Sequence, residues 1–352
     1  MTTVLDDLLK TAVELNASDI FITVGVPPTY KIQGVLQPAS NEILYPKDTE
    51  KLVTELFKKE EFFQEYLANG EKDFSISLAG VGRFRVDAYT QRGSMAAAIR
   101  VLKFELPDPV MLGIPQTVLD FSKKTRGLIL VTGPTGSGKS TTLAALINLI
   151  NEERSSHILT LEDPIEYLHK HDKSIVDQRE IGVDTKNYTQ ALRSAMRQAP
   201  DVILVGEMRD LETISIALTA AETGHLVLSS LHTVGAAKTV DRIIDVFPPN
   251  QQEQVRVQLS TVLQAVVTQQ LIPSDIKGRV AAFEIMVVNH AIRNLIRESK
   301  IMQIDAAIHT GRSSGMISMD ASIAELYNSG LITREDAMTY CVNPDTLLKY
   351  LR

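Results

Sequence analysis

The stretch Gly133-Pro134-Thr135-Gly136-Ser137-Gly138-Lys139-Ser140 follows the apolar run at 128–131 and precedes a segment with helical patterning. Strand, glycine-rich loop and helix thus occur in the order that nucleotide chemistry requires. The glycines let the chain curl so that backbone N–H groups face phosphate oxygens, next to the positive end of the following helix. Lys139 supplies a point charge to the outer phosphates. The Ser140 hydroxyl can enter the shell of a magnesium ion, and Thr141 with Thr142 begins the helix. A plain glycine turn would need neither the lysine nor the serine, so the segment predicts a chain that binds ATP or GTP.

A chain of 352 residues can bury a real core, and its length favours two domains over one. The single cysteine, Cys341, excludes an intrachain disulfide framework and a cysteine-rich zinc knuckle, points to a reducing compartment, and reads as a packing residue. The N-terminus has no basic region ahead of an apolar core, and no later apolar run reaches the length of a spanning helix, so a cytoplasmic protein is expected. Lys and Arg number 36 against 43 Asp and Glu, a net charge of −7. That balance offers no basic footprint, and no direct nucleic-acid binding is expected.

The patterning predicts an α/β protein with a first domain at 1–103, a linker at 104–115 interrupted by Pro107, Pro109, Gly113 and Pro115, and a second domain at 116–352. In the first domain, spacings of three and four among Leu5, Leu8, Leu9, Ala12 and Leu15 predict a helix. Strands are expected at 18–24, 30–32, 35–36, 74–78, 83–89 and 94–102, with two helices between 48 and 67. The 74–89 hairpin puts Arg83, Arg85 and Asp87 on one face. In the second domain, strands at 127–132, 157–161, 202–205 and 226–230 separated by helical stretches describe a mainly parallel sheet. A strand pair follows at about 265–272 and 279–287, and the pattern is helical after Asn289.

Hydrolysis needs an acidic side chain near the outer phosphate. Glu207 directly follows the strand at 202–205, whose C-terminal end a parallel sheet would deliver to the phosphate site, where a carboxylate can orient or deprotonate water. Gly206 stands where many such enzymes place an aspartate, so this strand does not offer the usual magnesium-holding group. Glu162 and Asp163 end the strand at 157–161, which Pro164 prevents from continuing, so two strands aim carboxylates at one rim. Glu162 is expected to help hold magnesium-bound or attacking water, with Asp163 and Glu166 in orienting roles. His225 and His232 bracket the strand at 226–230; His232 lies at the phosphate rim and can report on a phosphate oxygen, while a purely structural role for His225 is equally open. Arginines suited to transferring phosphoryl charge are Arg83, Arg85, Arg92 and Arg100 from the first domain and Arg193, Arg197 and Arg209 from the second.

With these segments assembled, the chain resembles the secretion ATPases of the type II and type IV pilus superfamily, and within it the pilus retraction ATPases. The likeness runs along essentially the whole length. It is carried by Ala17-Ser18-Asp19-Ile20, Gly82-Arg83-Phe84-Arg85-Val86, the phosphate loop and the acidic box at 159–166. The run at 197–210 and the histidine box at 223–233 complete it. The resemblance implies an N-terminal PAS-like α+β domain followed by a RecA-like ATPase domain. It implies a catalytic glutamate at Glu207, an acidic-box glutamate at Glu162, histidine-box residues at His225 and His232, and intersubunit arginines at Arg83 and Arg85. It further implies ATP and Mg2+ as ligands and a homo-hexameric ring docked at the inner-membrane platform protein of the pilus machine. Residues 291–298 match the segment associated with retraction. An accessory retraction ATPase of the PilU type, as identity or as partner, a secretion-system motor, and a nucleotide-dependent regulatory protein remain the alternatives.

Overall fold

The computed structural model describes residues 4–102 and 106–351. The expected domain end at Lys103 and the first linker positions, Phe104 and Glu105, lie outside the described residues, as do Met1, Thr2, Thr3 and Arg352. The chain divides into two compact units, Met1–Glu105 with Pro164–Leu168, and Leu106–Asp163 with His169–Arg352.

The first unit is built on a six-stranded sheet of β1 (Asp19–Ile22), β2 (Thr29–Ile32), β3 (Val35–Pro38), β4 (Glu71–Leu78), β5 (Gly82–Gln91) and β6 (Ser94–Leu102), in the order β3-β2-β1-β6-β5-β4. Every neighbouring pair is antiparallel. Side chains alternate across such strands. In β5, Phe84, Val86 and Ala88 are therefore buried, while Arg83, Arg85 and Asp87 take the other face. The buried face is covered by apolar positions of the helices Val4–Glu14 and Pro46–Leu56, among them Leu5, Leu9, Leu52, Val53 and Leu56. β4 starts three residues before its expected position, because the helix Glu60–Asn69 stops at Gly70 in a left-handed conformation and the strand begins at once.

The second unit carries a seven-stranded sheet: β7 (Gly127–Thr132), β8 (His157–Glu162), β9 (Ile175–Glu180), β10 (Val202–Val205), β11 (Leu226–Leu231), β12 (Leu263–Ser274) and β13 (Gly278–Val287). The order is β13-β12-β7-β11-β10-β8-β9, all parallel except β13 against β12. Both faces are covered, so the central strands read as continuous apolar runs. In β7, Leu128 and Leu130 join one core with the helices Leu211–Glu222 and Pro249–Val262, while Ile129 and Val131 join the other with Lys139–Glu153. The edge strand β9 was not expected from sequence. Its run Ile-Val-Asp-Gln-Arg-Glu contributes only Val176 to the second of these cores, too little for a periodic signal.

Beyond Asn289 the chain is helical, as expected, in short elements from His290–Arg297 to Pro344–Tyr350. Met319, Ile323, Ile332 and Leu347 pack on Ile272, Val280 and Ala282 of β12 and β13, forming a third core, against which Cys341 is half-buried. The molecule is an α/β protein with two sheet-containing units, the second consistent with a RecA-like ATPase core. Among the described residues no helix is long and apolar enough to cross a membrane.

Candidate active site

β7 is central and buried throughout, and it hands the chain directly to the loop at 133–138 and the helix Lys139–Glu153. The loop is fitted closely to β12. Gly133 has φ +136°, and a β-carbon there would stand 2.2 Å from the Gln269 carbonyl oxygen and 2.9 Å from Ser137 Oγ. Only glycine satisfies both the conformation and the space. Below the loop, Thr132 and Thr268 hydroxyls meet at 2.8 Å, and Thr142 Oγ1 donates to Gln269 Oε1 at 2.8 Å. Lys139, only 8% exposed, donates from Nζ to the carbonyl oxygens of Gly133 and Pro134, each at 2.9 Å. Its ammonium is thereby held over the curled backbone.

These features fit a nucleoside polyphosphate. The backbone cradle leaves no room for a side chain at Gly133, a buried hydroxyl, Ser137 Oγ, has no protein partner, and a cation is fixed at the loop. Ser140, exposed in the first turn of the helix, and Glu162 at the end of β8 are the groups suited to magnesium. Among the described residues no group of three or more His, Cys, Asp or Glu could hold a metal ion. Magnesium in phosphate sites is usually held by one or two protein groups plus the phosphates, so the donor set is of the right kind.

Strand register brings the acidic groups to the rim of this loop. Val205 pairs with Leu161 on one side and Ser229 on the other, and Leu231 pairs with Thr132. Glu162, Glu207 and His232 consequently leave adjacent strand ends at the level where the phosphate loop begins. Glu162 Oε1 accepts from Thr160 Oγ1 at 2.7 Å and from Gln178 Nε2 at 3.1 Å. The unexpected strand β9 therefore positions it. Glu207 is 13% exposed in its side chain, forms an ion pair with Arg209, and lies 3.2 Å from His232 Nε2. Burial pushes its carboxyl up, but the hydrogen bond and charge of Arg209, then those of His232, outweigh this and hold it below the usual carboxylate range.

Asp163 and Glu166 are exposed beyond the end of β8. His225 lies at the opposite end of β11 from His232, where its Nδ1 sits 2.9 Å from the Ala220 carbonyl oxygen and 3.3 Å from Thr223 Oγ1, closing the end of the helix Leu211–Glu222. Arg83 and Arg85 are on β5 of the first unit, where Arg83 reaches Ser77 Oγ at 3.4 Å and Arg85 pairs with Asp73. Sequence reasoning missed Gln269 and Gln178. Gln269 did carry a signal, since Thr268-Gln269-Gln270 is a polar interruption inside an apolar strand, and a buried polar side chain in a central strand needs a partner.

The chain's likeness to known proteins agrees with this geometry. The family profile described as "Type II/IV secretion system protein" matches residues 1–328. The Pseudomonas aeruginosa type IV pilus retractation ATPase PilT is 47% identical over 333 residues, covering 94% of this chain and 96% of that protein. A twitching motility protein of Neisseria gonorrhoeae is 46% identical over 341 residues, covering 97% and 91%. Among solved structures, the pilus retraction motor PilT with bound ADP superposes with a TM-score of 0.92 at 50% identity, covering 99% of this chain and 100% of that one. The Legionella pneumophila ATPase DotB does so with 0.84 at 28%, covering 95% and 94%. Matched along nearly all of its length, the chain belongs to the type II/IV secretion system protein family and is a PilT-type secretion ATPase within it.

Proposed function

We propose that the protein is a motor that hydrolyses ATP to power retraction of a type IV pilus. The observation that carries this reading is the meeting, on adjacent parallel strand ends, of a lysine-bearing phosphate loop with Glu162 and the Glu207–Arg209–His232 group. The named retraction ATPases matched along the chain supply the biological setting.

In this reading the loop N–H groups from Gly133 to Ser140 and the Lys139 ammonium bind the phosphates and fix the γ-phosphoryl at the rim. Glu207, ionised at neutral pH, orients the attacking water and accepts its proton at a carboxylate oxygen. Ser140 and Glu162 would hold a magnesium ion, which would supply neutralisation of the phosphate charge. Glu207's charge is already balanced by Arg209 and His232, so its carboxylate stays ionised in more acidic solution than an ordinary glutamate. His232, in contact with Glu207, responds to loss of the γ-phosphate, and Asp163 orients the acidic rim. Arg83 and Arg85 complete the site from a neighbouring copy in a homo-hexamer.

The first unit is the PAS-like domain of that assembly. The ring is cytoplasmic, works at the inner face of the membrane against the pilus platform protein, and is assisted where present by a PilU-type accessory ATPase. Two measurements test the setting. Magnesium-dependent ATP turnover should rise with assembled mass as protein concentration increases. Deletion of the gene should abolish twitching while pili persist on the cell surface. ATP binding without turnover in any assembled state would make the protein a regulatory nucleotide-binding factor instead.

A further inference from the structure

Gly206, which stands where an aspartate is often found in such sites, does not owe its glycine to backbone conformation, since its φ is not in the left-handed region. Space is the reason. A β-carbon at 206 would stand 2.9 Å from the Tyr188 hydroxyl and 3.2 Å from the Leu161 carbonyl oxygen, with the Glu162 Cα at 3.5 Å. The Gly206 N–H donates to the same Leu161 oxygen at 2.8 Å, and its carbonyl accepts from Ser230 Oγ at 2.6 Å. The phenol oxygen therefore lies over the seam between the two strand ends that carry Glu162 and Glu207.

Tyr188 reaches this seam from a fixed base. It opens the helix Tyr188–Ala195, whose cap residue Asn187 accepts from the Gln190 N–H at 2.8 Å, and its ring is half-buried against the core of the second unit. We propose that Tyr188 is a positioning residue of the hydrolytic site, its hydroxyl filling the space of a side chain at 206 and setting the approach of the Glu162 and Glu207 strand ends. The inference rests on the reading that these carboxylates serve ATP hydrolysis. An aspartate at 206 would add another negative charge beside Glu162, Asp163 and Glu207. The tyrosine fills the space without one: burial, then the Asp163 and Glu207 carboxylates, push its ionisation upward, so the hydroxyl keeps its proton.

The test uses the full chain with Tyr188→Phe, Gly206→Ala and the double variant, reading steady-state ATP turnover with magnesium and melting temperature. Tyr188→Phe keeps the ring and is expected to fold normally and hold KM for ATP within about twofold. Its kcat should fall about tenfold, less than the roughly hundredfold loss that misplacing reacting groups by about 1 Å can cause. Gly206→Ala should cost less in the Tyr188→Phe background than in the wild type, because the added methyl group no longer meets the tyrosine oxygen, and contacting residues are non-additive. Unchanged kcat in Tyr188→Phe, or a parallel loss of nucleotide affinity and melting temperature, would overturn the positioning role. So would additive effects at 188 and 206. A wild-type protein without turnover would sink the ATPase reading instead, and additive melting-temperature shifts at 188 and 206 would still overturn the steric arrangement.

Discussion

The two sheets use charge in opposite ways. In the first unit the antiparallel strands display ionisable side chains along a face: Asp19 is directly opposite Arg100, Arg85 opposite Arg100, and Asp73 opposite Asp87. Ion pairs Arg85–Asp73 and Arg100–Asp19 tile that face, and burial together with the Asp73 and Glu71 charges pushes the Asp87 carboxyl up. An open cavity of about 790 Å³ lies there, lined by both signs of charge. In the second unit the parallel strands bury every side chain of β7, β10 and β11 and release ionisable groups at the strand ends. A parallel sheet concentrates chemistry at one rim, while an antiparallel one spreads charge over a surface suited to contacts.

The largest effect is expected at the rim: Lys139→Ala should lower ATP turnover up to about a thousandfold, the range for loss of a preorganised charge-stabilising donor, with the fold intact by circular dichroism. Gly133→Ala places a methyl group 2.2 Å from the Gln269 carbonyl in a backbone region unfavourable to alanine, and should cost about 3 kcal/mol of stability in urea unfolding. A smaller cost would mean that the loop and β12 are not closely fitted.

His169 tests burial within the second unit. Burial lowers its pKa to about 4, so the folded protein refuses a proton that the unfolded chain accepts below about 6.5. Stability should therefore fall as pH drops from about 6.5 to about 4, by up to about 3 kcal/mol, and His169→Gln should flatten that slope in urea-midpoint measurements. The smallest stability change belongs to the exposed face of the first unit. Arg85→Ala removes an exposed ion pair with Asp73 and should cost less than about 1 kcal/mol. If Arg85 acts on nucleotide in an assembled ring, turnover at high protein concentration falls despite that small change. Unchanged turnover would leave it a surface ion pair.

The same division explains what could be read from the chain. The phosphate loop, the central strands and the acidic strand ends were legible because glycine, lysine and carboxylate identities at fixed offsets carry their own chemistry. Strand ends agreed to within a few residues where turns bear glycine, as at Gly70. β9 escaped because an edge strand with one deeply buried apolar residue has no period. Gln269 and Tyr188 escaped for a different reason: each meets a loop or strand end remote in sequence, Gln269 through the register of β12 beside β7 and Tyr188 from the first turn of its own helix.

Glu207 is the residue proposed to convert nucleotide binding into hydrolysis. Its most direct test compares purified wild type with Glu207→Gln in magnesium-dependent ATP turnover and ATP affinity on the assembled protein. The substitution removes the base while keeping the side chain's size, so turnover is predicted to fall about a hundredfold or more with affinity kept within a few-fold. Wild-type turnover in Glu207→Gln would contradict the assignment.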